Sequence, residues 1–234
     1  MNIVIPAAGA GSRFANAGYQ HPKPFIPIKG KSMIDHVIDN IATRADRVYV
    51  ILRTEHLSRL NDTMIPYRKN VAVIPLSEPT EGAACTVLKA KAFIDNDTPL
   101  IIANSDQYVR FDRKKWEWFM SEKAAGMMVF TPETPDAKWS YAKLDTTMGF
   151  IERVAEKEAI SHIATVGVYY FSGGYMFCSA ARSMIESEER VNGEFYVAPT
   201  FNHLGCLKYP FFVDTMYGMG DPGSFTENYE KVGT

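Results

Sequence analysis

A three-layer α/β/α, Rossmann-like fold with a mostly parallel mixed central sheet is the fold class the sequence predicts. Three observations carry it. Short β-branched runs alternate with helix-spaced apolar positions about four times in the first hundred residues, the pattern of right-handed crossovers over a parallel sheet. The first run, Ile3-Val4-Ile5, is apolar throughout, as a strand buried on both faces must be. Small residues follow it at once, at the carboxyl end of a strand, where sheets of this kind receive ligands.

The elements follow in order. After the Gly-rich turn and a Pro-rich loop, Met33 to Ile41 places apolar residues at helical spacing, with Ser32 as its N-cap. A strand is expected at 47–52, a helix near 56–64, a strand at 71–76, a helix from about 82 to 94 and a strand at 99–103. The middle changes character: Trp116 to Met120 reads as helical, 127–130 as extended, and 141–144 and 150–154 as two strands around the turn Thr146-Thr147-Met148-Gly149. A strand at 165–171, a helix near 174–185, a strand near 211–214 and a helix near 224–232 complete the outline. No linker or internal repeat divides it, so the 234 residues are expected to form one domain.

Composition narrows the function. A formal net charge of -2 gives no electrostatic case for nucleic acid or an anionic membrane surface, and no apolar run approaches a membrane span. The chain opens directly on strand residues rather than on a basic leader, and a cytoplasmic protein is expected. The three cysteines, Cys85, Cys178 and Cys206, are widely spaced and odd in number, which argues against a disulfide framework or zinc cluster. The five histidines show no metal-ligand spacing.

The richest stretch is Ala7-Ala8-Gly9-Ala10-Gly11-Ser12-Arg13, followed by Pro22-Lys23-Pro24. Small residues let backbone N–H groups approach phosphate oxygens, while Arg13 adds a forked charge and Lys23 a mobile one. The third glycine of a dinucleotide fingerprint is replaced by Phe14, and the Lys-Ser/Thr ending of a P-loop is absent. A cationic grip on a nucleoside triphosphate is the reading that remains.

A-G-x-G-x-R followed by P-K-P resembles the signature of the sugar-nucleotidyltransferase family, the nucleotide-sugar pyrophosphorylases and small cytidylyltransferases. The likeness continues through Thr80-Glu81-Gly82-Ala83-Ala84 (a base-recognition loop), Asn104-Ser105-Asp106 (a magnesium-binding turn) and Glu156-Lys157 (a phosphate-acceptor motif). It ends with Val166-Gly167-Val168-Tyr169, Gly193-Glu194-Phe195-Tyr196 and Gly220-Asp221-Pro222. The resemblance implies a nucleotide-binding half over 1–110 and an acceptor-binding half over 111–234.

By that resemblance a nucleoside monophosphate passes from a triphosphate, CTP slightly favoured, to a phosphorylated sugar or small phosphorylated alcohol, amine or amide. Pyrophosphate is released, in the service of surface-polysaccharide precursors. Arg13, Lys23 and Asp106 are the expected catalytic residues; residues 7–13 with Lys23, Glu81, Gly82 and Ser105 would hold the nucleotide. Lys157, Glu194, Tyr196 and Asn202 would hold the acceptor. Magnesium is the expected cofactor, on Asp106. Many relatives carry a second carboxylate where this chain has Gly218, so Asp221 or Asp214 stands as a substitute ligand, with Asp221 as a plain helix N-cap the competing reading. The chain ends before the hexapeptide-repeat domain of some relatives would begin, and a homo-oligomer is allowed. Two other classes stay open: a glycosyltransferase of related fold using a nucleotide sugar, and a non-catalytic nucleotide-binding protein.

Overall fold

The computed structural model describes residues 1–233. In chain order the strands are β1 (Asn2–Pro6), β2 (Pro27–Ile28), β3 (Lys31–Ser32), β4 (Arg47–Arg53), β5 (Val71–Leu76), β6 (Leu100–Ala103) and β7 (Gln107–Arg110). They continue with β8 (Ala125–Phe130), β9 (Ser140–Leu144), β10 (Ile151–Glu156), β11 (Ala164–Phe171), β12 (Lys208–Phe212) and β13 (Thr215–Gly218). The α-helices are α1 (Ser12–Asn16), α2 (Met33–Ile41), α3 (Ala83–Leu88), α4 (Lys91–Ile94), α5 (Arg113–Glu122), α6 (Gly174–Glu186) and α7 (Pro222–Asn228).

One nine-stranded sheet takes strands from both ends of the chain. β5, β4, β1 and β6 run parallel side by side; β11 lies antiparallel beside β6, and β8 and then β12 follow. The β9–β10 hairpin joins at Ala164, the first residue of β11. Burial follows the pleat: Ile3 and Ile5 enter one apolar cluster and Val4 the other, so the strand is dry on both faces. Ser32 caps α2, its Oγ accepting from the Asp35 amide at 3.3 Å.

Four expectations are corrected. Residues 54–62 form a 3₁₀ helix rather than the expected α-helix, because none of its residues is buried and no apolar face holds a regular turn in place. The helix expected over 82–94 is two, since Lys89 and Ala90 close i→i+3 bonds that end α3 before α4 begins. The aromatic run near 211 belongs to β12, which starts at Lys208, and a second strand, β13, follows it to pair with β7. The terminal helix starts at Pro222, with Asp221 as its cap and proline in its first turn.

The topology places the site. β1 and β6 are parallel neighbours, so the loops that leave them, 7–13 and 104–106, emerge at the same edge of the sheet. β11 runs the other way, so its amino-terminal residues reach that edge too, with a register shift between Thr165 and Tyr169. No helix among the described residues is long and apolar enough to cross a membrane.

Candidate active site

A cleft of about 700 Å³ opens at this edge. Ala7, Gly9, Ala10, Gly11, Ser12 and Arg13 line one wall; Ala8 turns away into the core. The amides of Gly9, Ala10 and Gly11 donate to no backbone carbonyl among the described residues and are available to an anion. Gly11 has φ 63, and a Cβ there would stand 3.3 Å from the Cβ of Lys23. A left-handed, side-chain-free residue at this point lets the Pro22-Lys23-Pro24 loop close on the turn.

Lys23 reaches Asp106 across the cleft, Nζ to Oδ2 at 2.5 Å, with both side chains largely shielded. Asp106 sits just beyond β6 beside Ser105, as its place after a buried strand foretold. Opposite it runs the turn 218–221. The Met219 amide donates to the Asp106 carbonyl at 2.7 Å, and a Cβ on Gly220 would lie 3.0 Å from Asp106 Oδ2. Gly218 lines the cleft, and a Cβ there would meet only the Trp139 ring at 3.5 Å and the Met216 sulfur at 3.8 Å.

For a metal, the substitutes for the missing carboxylate divide. Asp221 lines the cleft, but both its oxygens accept from Ser224, from the amide at 2.9 Å and the hydroxyl at 2.8 Å, so it serves as the α7 cap. Burial alone would raise its pKa; those Ser224 bonds, with the Lys138 and Arg13 charges, outweigh burial and hold it below the usual range. Asp214 is exposed and does not line the cleft. Among the described residues no group of three His, Cys, Asp or Glu could hold a metal. Asp106, whose Oδ1 takes no hydrogen bond among the described residues, is a donor suited to magnesium, which draws most of its ligands from phosphate and water.

The opposite wall comes from the second half of the chain. Lys157, at φ 58, follows β10; its amide donates to the Trp139 carbonyl at 3.0 Å. Its Nζ donates to the Tyr196 hydroxyl and lies 4.5 Å from that ring's centroid. Glu194 also lines the cleft. Three expected residues lie elsewhere. The Asn202 amide is spent on β10, accepting from the Val154 N–H and donating to its C=O, each at 2.8 Å. Glu81 does not line the cleft and pairs with Arg190 at 2.6 Å; Gly82 does not line it either and packs under the Phe195 backbone.

The structure adds residues that sequence reasoning missed. Lys138 and Trp139 precede β9 on the far wall, and Gln107, 4% exposed, contributes a buried amide whose Oε1 has no partner among the described residues. Ser140 donates to the Glu156 carboxylate, both facing the cleft. A Lys-Trp pair in a polar loop just before a strand was the available signal.

Burial raises the pKa of Glu156, and the nearby Glu194 charge pushes the same way, against the Ser140 bond and the Lys157 charge. A carboxyl whose folded pKa lies above its unfolded value favours the fold at low pH, and that contribution is lost as pH rises through the folded value. Glu156→Gln removes it. The variant is expected to gain thermal stability relative to the parent as pH climbs from 4.5 to 8, read as diverging melting curves; parallel curves would show that Glu156 titrates normally.

The fold has known relatives. A nucleoside-diphosphate-sugar pyrophosphorylase from Vibrio cholerae superposes with a TM-score of 0.80 at 25% identity, over 97% of this chain and 99% of that one. A putative glucose-1-phosphate thymidylyltransferase from Bacillus anthracis gives 0.79 at 18% identity, over 99% and 95%, a likeness of fold. The bifunctional protein GlmU of Methanocaldococcus jannaschii is 28% identical over 174 residues, which cover 73% of this chain and 40% of that protein. The chain thus spans well under half the length of this curated relative. Residues 2–198 match the nucleotidyl transferase family, with the glycine turn, Lys23, Asp106 and Lys157 all inside the match, and the chain belongs to that family.

Proposed function

We propose that the protein transfers a nucleoside monophosphate from a triphosphate to a phosphorylated small molecule, a sugar phosphate before an alcohol, amine or amide, and releases pyrophosphate. The observation that carries this is the placement of Arg13 and Lys23 on one wall of a single cleft, Lys157 on the other and Asp106 between. A phosphate monoester with a second pKa near ~6 is already largely dianionic at pH 7 and needs no general base. Its oxygen attacks the α-phosphorus, a new P–O bond forms, and the bond from that phosphorus to the α–β bridging oxygen breaks, its electron pair leaving with pyrophosphate. The residues orient the two anions and offset their repulsion.

Magnesium belongs to this reading. Bound through Asp106 it would neutralise charge on the phosphate oxygens. The sugar-phosphate preference rests on the Vibrio cholerae neighbour, whose description names a nucleoside-diphosphate sugar. CTP remains the first triphosphate to test, and surface-polysaccharide precursors the first product class.

The test is pyrophosphate release with magnesium, crossing CTP, UTP, dTTP, ATP and GTP with sugar 1-phosphates and phosphorylated amino alcohols and amides. Release that needs one triphosphate and one acceptor together supports the reading. Triphosphate binding with no release for any acceptor supports a non-catalytic role, and release of nucleoside diphosphate from a nucleotide sugar supports a glycosyltransferase. Lys157→Ala is expected to raise the acceptor KM about 10- to 100-fold, the scale of one charged hydrogen bond, with the triphosphate KM little changed. An unchanged acceptor KM would remove Lys157 from the acceptor wall.

A further inference from the structure

The charge balance of the cleft is incomplete on its nucleotide side. Without a divalent cation Lys23 is neutralised by Asp106 at 2.5 Å, which leaves Arg13, among the described residues, as the uncompensated cation of the glycine turn. A triphosphate brings about four negative charges at pH 7. The opposite wall holds a cation with no role assigned so far.

We propose that Lys138 is a further triphosphate-binding residue, which reaches the polyphosphate from the acceptor half and faces Arg13 across it. This rests on the nucleotidyltransferase reading. Its backbone neighbour is fixed: the Trp139 carbonyl accepts from Lys157, and the Trp139 ring stands edge-on to Phe130 with centroids 5.3 Å apart. The same ring approaches the position of a Gly218 Cβ to 3.5 Å, which seats this segment against the turn that abuts Asp106. The Lys138 side chain itself is lightly held. Its Nζ lies 3.3 Å from an exposed Asp136 carboxylate and 4.8 Å from the Trp139 centroid, contacts that solvent screens and a phosphate readily replaces.

Arg13, Lys138 and Asp221 line the same cleft, and both Asp221 oxygens are occupied by Ser224, so neither cation is paired there. Two cations from opposite halves therefore border one cleft. Lys157, one residue beyond the strand that pairs with Ser140, already serves the acceptor phosphate in this reading, so Lys138 is assigned to the triphosphate.

The experiment is calorimetric titration of the full chain, with magnesium, using the α,β-methylene analogues of CTP, UTP, dTTP, ATP and GTP, together with steady-state kinetics. Lys138→Ala is expected to weaken the preferred analogue about 10- to 100-fold. Lys138→Arg is expected to restore most of that loss, and the acceptor KM is expected to stay within about twofold. Lys138 is exposed, so the variants should keep the parent's circular dichroism and melting curve. Unchanged analogue affinity in Lys138→Ala, or a loss confined to the acceptor KM, overturns the assignment while leaving the transferase reading intact. A parent protein that binds none of the five analogues overturns both.

Discussion

Asp106→Asn is expected to reduce turnover by about 10²–10³-fold or more, the usual scale for deleting one preorganised electrostatic group from a reacting centre. Its effect on binding should run the other way. Without a divalent cation, the parent offers a triphosphate a Lys23 ammonium that is already tied to a carboxylate at 2.5 Å. Asparagine keeps the shape and removes the charge, so the lysine is released to the ligand. Triphosphate titrated in chelator should therefore bind the variant more tightly than the parent, while pyrophosphate release with magnesium collapses. Equal affinity in chelator would show that the pair opens at no cost, and near-normal turnover would remove Asp106 from the chemistry.

Gly82→Ala is expected to be strongly destabilising. Gly82 has φ 126, a region open to glycine, and a Cβ there would lie 2.4 Å from the Phe195 carbonyl oxygen and 2.5 Å from its nitrogen. Backbone cannot swing aside as a side chain can. Making room means breaking the bonds that tie the two segments, from the Phe195 amide to the Glu81 carbonyl at 2.7 Å and from the Ala84 amide to the Phe195 carbonyl at 3.0 Å. We expect a loss of about 3 kcal/mol or more, which for a chain of this size lowers Tm by roughly 6–12 °C. Glu81→Ala is the control. It removes only an exposed carboxylate from Arg190 and should barely move the melt. If the two variants melt alike, the overlap at Gly82 is relieved more cheaply than its surroundings suggest.

These two residues also mark what the sequence could and could not disclose. Asp106 was legible because its signal is local: an apolar run, then a carboxylate at the strand's carboxyl end, where the topology must bring it to the crevice. Ser32 and Asp221 were legible as caps for the same reason, since capping acts within three residues. Gly82 was read as a residue that approaches a base, but its neighbour is Phe195, more than a hundred positions away, and no local pattern announces a contact of that span. Asn202 failed likewise. A polar residue near a presumed pocket reads as a ligand contact until the strand whose Val154 it caps is known to pass beside it. The short strands β7 and β13 were missed because their mutual pairing, rather than periodicity, holds them.

The single antiparallel strand between β6 and β8 has a consequence for synthesis on the ribosome. β6 is complete by Ala103, but the neighbour that covers its second edge is β11, whose residues emerge only after 164. Until then a nascent chain carries Leu100 to Ala103, fully apolar and unpaired along one side, the sort of edge on which chains adhere to one another. Residues 1–110 are therefore not expected to survive as a soluble fragment, although they hold the whole glycine turn, Lys23 and Asp106. The wall that carries the glycine turn becomes a stable surface only when the wall that carries Lys157 has been made, so a truncated message or an early ribosomal release should yield aggregate rather than a soluble partial protein.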